Sequence, residues 1–149
     1  MAKRLDVRII SLVRRAESVA ELRAGGSDTV FADGDESLGE VREALSGQRV
    51  PLALNGVGGE SAGRLFTLLD EGGTLVTYGA MARKPIRLSN AALIFGERIV
   101  RGFWLTRWLE RQSAERLRSI YRELSESMLN EELHFPIAAS YPLEAAREA

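Results

Sequence analysis

Hydrophobic positions come in short blocks along this chain, and their spacing switches between strand-like and helix-like periods. Met1–Asp6 reads as the tail of a helix, with a strand following almost at once. Arg8–Val13 (RIISLV) is β-branched and apolar, the pattern of a strand buried on both faces. Ser18-Val19-Ala20-Glu21 is a capping-box pattern that predicts a short helix to about Ala24, stopped by Gly25-Gly26. Thr29–Ala32 is a short strand. Ser37–Glu40 is a second capping box, and its helix puts Leu38, Val41 and Leu45 on one face before Gly47. Val50–Leu54 reads as a buried strand, followed by a turn with Gly56, Gly58 and Gly59, then a helix over Glu60–Asp70. Gly72-Gly73 leads into a strand over Thr74–Tyr78 that ends at Gly79. Ile86–Phe95 is a connection, helical from Ser89, and Arg98–Leu105 is a further strand. A long amphipathic helix spans Ser113–Leu129, with Leu117, Ile120, Tyr121, Leu124 and Met128 on its predicted buried face. Pro136–Ala139 reads as a last short strand, and the final LEAAREA as a helix just begun.

Strands alternating with helices imply an α/β fold, a three-layer, doubly wound parallel sheet. Residues 1–149 are expected to form a single nucleotide-binding domain, truncated at its front. Such folds begin with a strand and a glycine fingerprint, and here the first element is helical. In the strand order 3-2-1-4-5-6 the first strand is central. Arg8–Val13 then takes the second place and Val50–Leu54 the fourth. The sheet is expected to split between them. Direct pairing of those two strands, a strand from another chain, or membership of a longer or split protein would each answer this.

Composition narrows the function classes. The chain has 149 residues, 45% of them hydrophobic, and a net charge of −1. That balance argues against binding nucleic acid or a membrane surface through bulk charge. There is no cysteine, hence no disulfide and no cysteine-ligated zinc within the sequence. His134 is the single histidine, read as a surface or half-buried residue. The basic start carries only a short apolar run, broken by Arg14 and Arg15, and reads as neither signal peptide nor membrane span. The expected location is cytoplasmic, or the mitochondrial matrix in a eukaryote.

Two motifs carry the candidate chemistry. Gly56-Val57-Gly58-Gly59-Glu60-Ser61 approaches G-x-G-x-x-G between a strand and a helix. The following strand lacks the acid that would hold a ribose hydroxyl. The motif is therefore a primary fingerprint, a secondary contact to a cofactor held elsewhere, or a tight turn without a ligand. Arg14-Arg15 ends the predicted second strand, where an arginine accommodates the 2′-phosphate of NADP. Its planar fork suits phosphate. The alternative is two solvated arginines opening a loop.

NGVGG, GGTLVTYGAMARKP and LIF..RIVRGFWL together resemble the mitochondrial-type trans-2-enoyl-CoA reductases. These are medium-chain dehydrogenases/reductases close to the quinone oxidoreductases, with a Rossmann-type nucleotide domain. The likeness is sharpest at Thr77–Met81 and Arg101–Leu105 and weak from Ser18 to Gly47. It implies that Arg14 and Arg15 bind the NADPH 2′-phosphate, with Ala16 replacing a further basic position. It implies that Tyr78, Gly79, Ala80 and Met81 lie beside the pyrophosphate and nicotinamide, Ala80 standing where glycine is common. Phe103, Trp104, Leu105 and Thr106 are implied at the nicotinamide end; by themselves they read as core aromatics and their neighbours. In the implied reaction NADPH gives hydride to the β-carbon of a 2-enoyl thioester, and the enolate is stabilised and then protonated. The family's proton-donating tyrosine belongs to a lobe not matched here, so no catalytic residue is assigned.

The resemblance also implies a homodimer through the Arg98–Leu105 edge strand, and a role in fatty acid metabolism. Two other readings stay open: a non-catalytic nucleotide-binding or dimerisation module, and a quinone oxidoreductase-type domain. The zinc alcohol dehydrogenase version wants metal ligands that the sequence does not offer. Arg83-Lys84 reads as a solvated loop more readily than as a coenzyme A phosphate contact. Arg107, Trp108 and Arg111 resemble a nucleic-acid patch only superficially.

Overall fold

A computed structural model describes residues 5–27, 29–133, 135 and 137–148. The chain divides into two compact units, Val7–Glu110 and Met1–Asp6 with Arg111–Ala149. The expected α/β class with parallel strands is present in the first unit.

That unit runs β1 (Ser11–Val13), α1 (Glu17–Ala24), β2 (Val30–Ala32), α2 (Leu38–Leu45), β3 (Leu52–Asn55), α3 (Gly59–Leu68), β4 (Thr74–Thr77), α4 (Asn90–Phe95), β5 (Ile99–Gly102) and α5 (Leu105–Glu110). The strands form two sheets, β1-β2 and β3-β4-β5. The expected split is there, and β1 and β3 do not pair directly. In β1-β2, Leu12 stands opposite Phe31. In the larger sheet Leu54 stands opposite Val76, and Val76 opposite Arg101.

The larger sheet holds the core. Ala53 and Leu75 point to one face and bury against Ala62, Phe66 and Leu69, with Val50, Leu65, Ile86, Leu88 and Ala92 around them. Phe66 is the largest of these fully buried side chains. The Arg98 guanidinium lies 5.6 Å from the centre of its ring. Arg98 Nη1 also donates to the Phe66 carbonyl at 2.9 Å, satisfying an acceptor at the end of α3.

Several elements differ from their predicted form. β1 is only three residues long, because Val7–Ile10 have no ladder partner among the described residues. β1 is not buried on both faces, since Ser11–Val13 are only half-buried, and β3 is buried at alternate residues only. Ala53 and Asn55 are buried, while Leu52 and Leu54 are 53% and 61% exposed. The strand predicted over Arg98–Leu105 is β5, Ile99–Gly102, and Leu105 already begins α5. Ser18 does not cap α1: the helix starts two residues earlier, at Glu17, with Ser18 N–H bonded to the Arg15 carbonyl. Ser37 occupies the cap position of α2, but its Oγ donates instead to the Ala32 and Gly34 carbonyls. Ser89 does cap α4, accepting from the Ala92 N–H.

In the second unit, α6 (Ala114–Leu129) is capped by Ser113, which accepts from the Arg116 N–H at 3.1 Å. Leu117, Ile120 and Leu124 are half-buried and Ser127 is buried, whereas Tyr121 and Met128 are exposed. The inward line thus follows 117, 120, 124 and 127. Residues 137–139 form no strand, and Leu143–Ala145 make one 3-10 turn. Met1–Arg4, His134 and Pro136 lie outside the described residues.

Candidate nucleotide site at the strand ends

In a parallel sheet the carboxyl ends of the strands share one edge, and ligands bind beyond it. Here β3, β4 and β5 run parallel, so Asn55–Gly59, Tyr78–Met81 and Phe103–Thr106 emerge at that edge.

Asn55 organises this edge through its side chain, which the glycine spacing gives no hint of. It is buried, and its Oδ1 accepts from the Val57 and Gly58 N–H groups at 3.1 and 2.9 Å. Its Nδ2 donates to Thr77 Oγ1 at 3.2 Å, tying the β3 exit to the end of β4. An asparagine accepting from backbone two and three residues on is a turn device, and the following glycine was its one local signal. The next stretch then folds over the glycines. Tyr78, Met81 and Ala82 donate their N–H groups to the carbonyls of Asn55, Gly56 and Val57. A Cβ on Gly79 would sit 2.6 Å from the Gly56 oxygen, and one on Gly56 would sit 3.0 Å from the Tyr78 hydroxyl. Gly58 has φ +81°, and a Cβ there would be 3.5 Å from the Lys84 carbonyl. The glycines of the G-x-G-G turn therefore admit the chain's own Tyr78–Lys84 segment. Of the three readings of the motif, a tight turn fits this geometry best.

The remaining candidates are placed as follows. Tyr78, Ala80 and Met81 are exposed, and the Tyr78 ring lies against Gly56. Phe103 donates its N–H to the Thr77 carbonyl at 2.8 Å, which holds the link after β5 beside the end of β4. Trp104 is 64% exposed, with the Arg107 guanidinium 5.4 Å from its ring centre. Leu105 and Thr106 are exposed in the first turn of α5. The Phe103 and Trp108 rings meet at 6.3 Å. Arg14 and Arg15 stand exposed beyond β1, at the end of the other sheet, and neither makes an ion pair with a described residue. The structure thus brings the β4 and β5 segments together and leaves the arginine pair on the other sheet.

Another group unforeseen from the sequence joins the two sheets. Arg64 of α3 donates from Nε to Asp33, just past β2, at 2.7 Å, and from Nη1 to Asp35 at 3.2 Å. The Arg64 and Asp33 side chains are only 17% and 9% exposed. Burial by itself would raise the Asp33 carboxyl; hydrogen bonds from Arg64 and Ser61 and the Arg64 charge outweigh it and hold it below its ordinary value. The bond to Asp33 raises Arg64 against the opposing effect of burial.

Residues 1–122 match the family model described as zinc-binding dehydrogenase. The chain belongs to that family. Within it, the chain falls in the enoyl reductase and quinone oxidoreductase group of the medium-chain dehydrogenases/reductases. It is 36% identical over 126 residues to the mitochondrial enoyl-[acyl-carrier-protein] reductase of Dictyostelium discoideum, covering 81% of this chain and 36% of that protein. Against the protein of that name in Homo sapiens it is 31% identical over 154 aligned positions, covering 100% of this chain and 41% of the relative. Among solved structures, an Etr1p complex with NADP and crotonyl-CoA superposes with a TM-score of 0.65 at 30% identity, over 87% of this chain and 36% of that one. The chain therefore spans about two fifths of the length of these relatives. The family's name refers to zinc. With no cysteine in the sequence, and no cluster of three or more histidine, cysteine or acidic side chains among the described residues, this chain's residues do not fit a zinc site. Among the described residues no helix is long and apolar enough to cross a membrane.

Proposed function

We propose that this chain is the cofactor-binding part of an NADPH-dependent oxidoreductase that reduces 2-enoyl thioesters, with residues 1–149 serving as its nucleotide-binding domain. The observation that supports the reading is that Tyr78–Met81 and Phe103–Thr106 follow the carboxyl ends of β4 and β5, with two exposed arginines beyond β1. Two guanidinium forks without ion-pair partners among the described residues suit a 2′-phosphate. Bound NADPH supplies hydride for the β-carbon of the thioester. Arg14 and Arg15 hold and select the 2′-phosphate. Tyr78, Gly79, Ala80 and Met81 form a shelf for the pyrophosphate and nicotinamide side. Phe103, Trp104, Leu105 and Thr106 close the nicotinamide end and keep water from it. The thioester substrate, a location in the mitochondrial matrix or cytoplasm, and a place in fatty acid metabolism follow from the same reading.

The chain's second role in this reading is self-association. β5 is the outer strand of its sheet and all four of its residues are exposed. Ile99 and Phe103 donate to the Gly73 and Thr77 carbonyls of the β4 side, so Val100 and Gly102 direct their backbone groups outward. We assign this edge to pairing with its twin in a homodimer. A nucleotide-binding and dimerising module without catalysis of its own is the second reading. It is favoured by Tyr78, whose ring packs on Gly56 and so serves the turn.

The test is a comparison of NADPH and NADH binding to the chain and to Arg14→Glu/Arg15→Glu. Each lost charged hydrogen bond should cost about 1.5–3 kcal/mol of NADPH affinity and leave NADH nearly unchanged. Equal loss for both cofactors would sink the assignment. Sedimentation of Val100→Pro tests the edge: dimer lost, fold kept.

A further inference from the structure

On the thioester reading above, we propose that Arg83 and Lys84 form a phosphate site for the substrate's pantetheine-type carrier, whether a free coenzyme or the arm of a carrier protein. The pair would hold the end of the substrate far from the reacting carbons.

By sequence these two residues read as a solvated loop, yet their backbone is tightly fastened. Met81 and Ala82 donate their N–H groups to the Gly56 and Val57 carbonyls at 3.3 and 2.8 Å. Arg83 closes a turn by donating to the Ala80 carbonyl at 2.9 Å. Lys84 then lies over the glycines: a Cβ on Gly59 would sit 3.4 Å from the Lys84 Cβ. Pro85 restricts the exit. Arg83 is thereby held at φ +52°, a left-handed backbone that suits glycine. An arginine kept where glycine would fit without strain points to a use for its side chain.

Both side chains are exposed, and neither has an ion-pair partner among the described residues. Arg87, three residues beyond Lys84, differs, with its Nη1 lying 4.0 Å from Glu60. A guanidinium beside an ammonium is a donor set for phosphate: the planar fork takes two oxygens and the ammonium adds a point charge. The position fits as well. The pair directly follows the proposed shelf, Tyr78–Met81, past the carboxyl end of β4. Hydride transfer sets the acyl end of the thioester against the nicotinamide, and the shelf continues from there into these two cations. The cofactor's 2′-phosphate is assigned to Arg14 and Arg15 on the other sheet, so it does not compete for them.

The test titrates the whole chain, with and without NADPH, with coenzyme A, 4′-phosphopantetheine and pantetheine, followed by heteronuclear NMR up to millimolar ligand. Arg83→Gln/Lys84→Gln should weaken the phosphate-bearing ligands by roughly tenfold for each charged hydrogen bond lost, and leave pantetheine and NADPH unchanged. Loss for both phosphate-bearing ligands assigns the site to the phosphate of the arm itself. Loss for coenzyme A alone assigns it to the further phosphates of the free coenzyme. Arg83→Gly suits the +52° backbone, so it should keep Tm while weakening the same ligands. Arg87→Gln removes an equal charge nearby and should weaken neither. Three results would overturn the site: phosphate-bearing ligands that bind the parent no better than pantetheine does, a loss in Arg87→Gln as large as in the double variant, or a loss that falls on NADPH, which would put the cofactor's pyrophosphate there. If NADPH fails to bind the parent, the NADPH reading falls, and the titrations without NADPH still decide this site.

Discussion

The two sheets of the Val7–Glu110 unit are held by different forces. β3-β4-β5 buries Ala53 and Leu75 under Ala62, Phe66 and Leu69, a connected apolar core. Outside that core, Val30 of β2 and Val41 of α2 are the fully buried apolar residues among the described ones. The β1-β2 sheet leans on directed polar contacts instead. Arg8 donates to Gln48 and to the Ala44 carbonyl, Arg23 to the Val30 carbonyl, and Arg64 reaches Asp33 from the other half. Apolar burial tolerates small shifts, whereas a hydrogen bond to a buried charge fails at once when its partner is removed. The candidate 2′-phosphate selectors sit on the side fastened by polar contacts, and the candidate nicotinamide wall on the side with the core.

The largest expected effect is on the core side. Phe66→Ala should cost about 3–5 kcal/mol in urea unfolding, since a buried aromatic leaves a cavity that cannot close. Trp104 and Trp108, the two tryptophans, both report on that side. Next is the tie between the halves. Arg64→Met should cost about 2–3 kcal/mol, because Asp33 is left buried and unpaired while the exposed Asp35 contributes little. It should also break the coincidence of tryptophan fluorescence and circular dichroism, with β1-β2 loosening first. Coincident transitions in this variant would show that the halves are not separately fastened. Gly58→Ala should cost about 1–3 kcal/mol, since φ +81° is a glycine conformation. The smallest effect is on pH dependence. Asp33 titrates below its ordinary 3.8 in the folded chain, so its contribution is complete above that value and is lost as pH falls through the folded one. Arg64 stays charged throughout. Acid unfolding of Asp33→Asn should therefore be less steep than that of the parent.

What was legible in the sequence was local. The β4 strand, the α3 helix and the helix starts at Ser89 and Ser113 rest on residues within a few positions of one another, and each is found near its predicted place. The alternation of strand and helix also located the break in the sheet. The misreadings have non-local causes. Ser37 has the right spacing for a capping box, yet carbonyls brought near by the β2 exit compete for its hydroxyl. RIVRGFWL (Arg98–Leu105) reads as one β run, but only Ile99–Gly102 finds a register with β4. The Asp33–Arg64 pair joins residues 31 positions apart, and no periodicity marks it. At the candidate site, glycines between strand and helix suggested room for a ligand. They serve an approach by Tyr78–Lys84, which single-sequence spacing cannot distinguish from a phosphate.

The Asn55 clamp has a chemical consequence of its own. Asn55-Gly56 is an asparagine–glycine step, the kind most open to spontaneous deamidation. In a loose chain the glycine nitrogen attacks the side-chain amide, ammonia leaves, and the cyclic imide opens to aspartate or isoaspartate. Here the amide is engaged from both ends, by two backbone donors and by Thr77. Folding thus sets the shelf life of this peptide bond. A molecule that lets the β3 exit open for long enough would age at residue 55: an aspartate there could still accept from Val57 and Gly58 but would have no N–H for Thr77, and an isoaspartate would add a backbone atom to the turn. Peptide mapping after storage in mild urea, against storage in buffer, would read this clock directly.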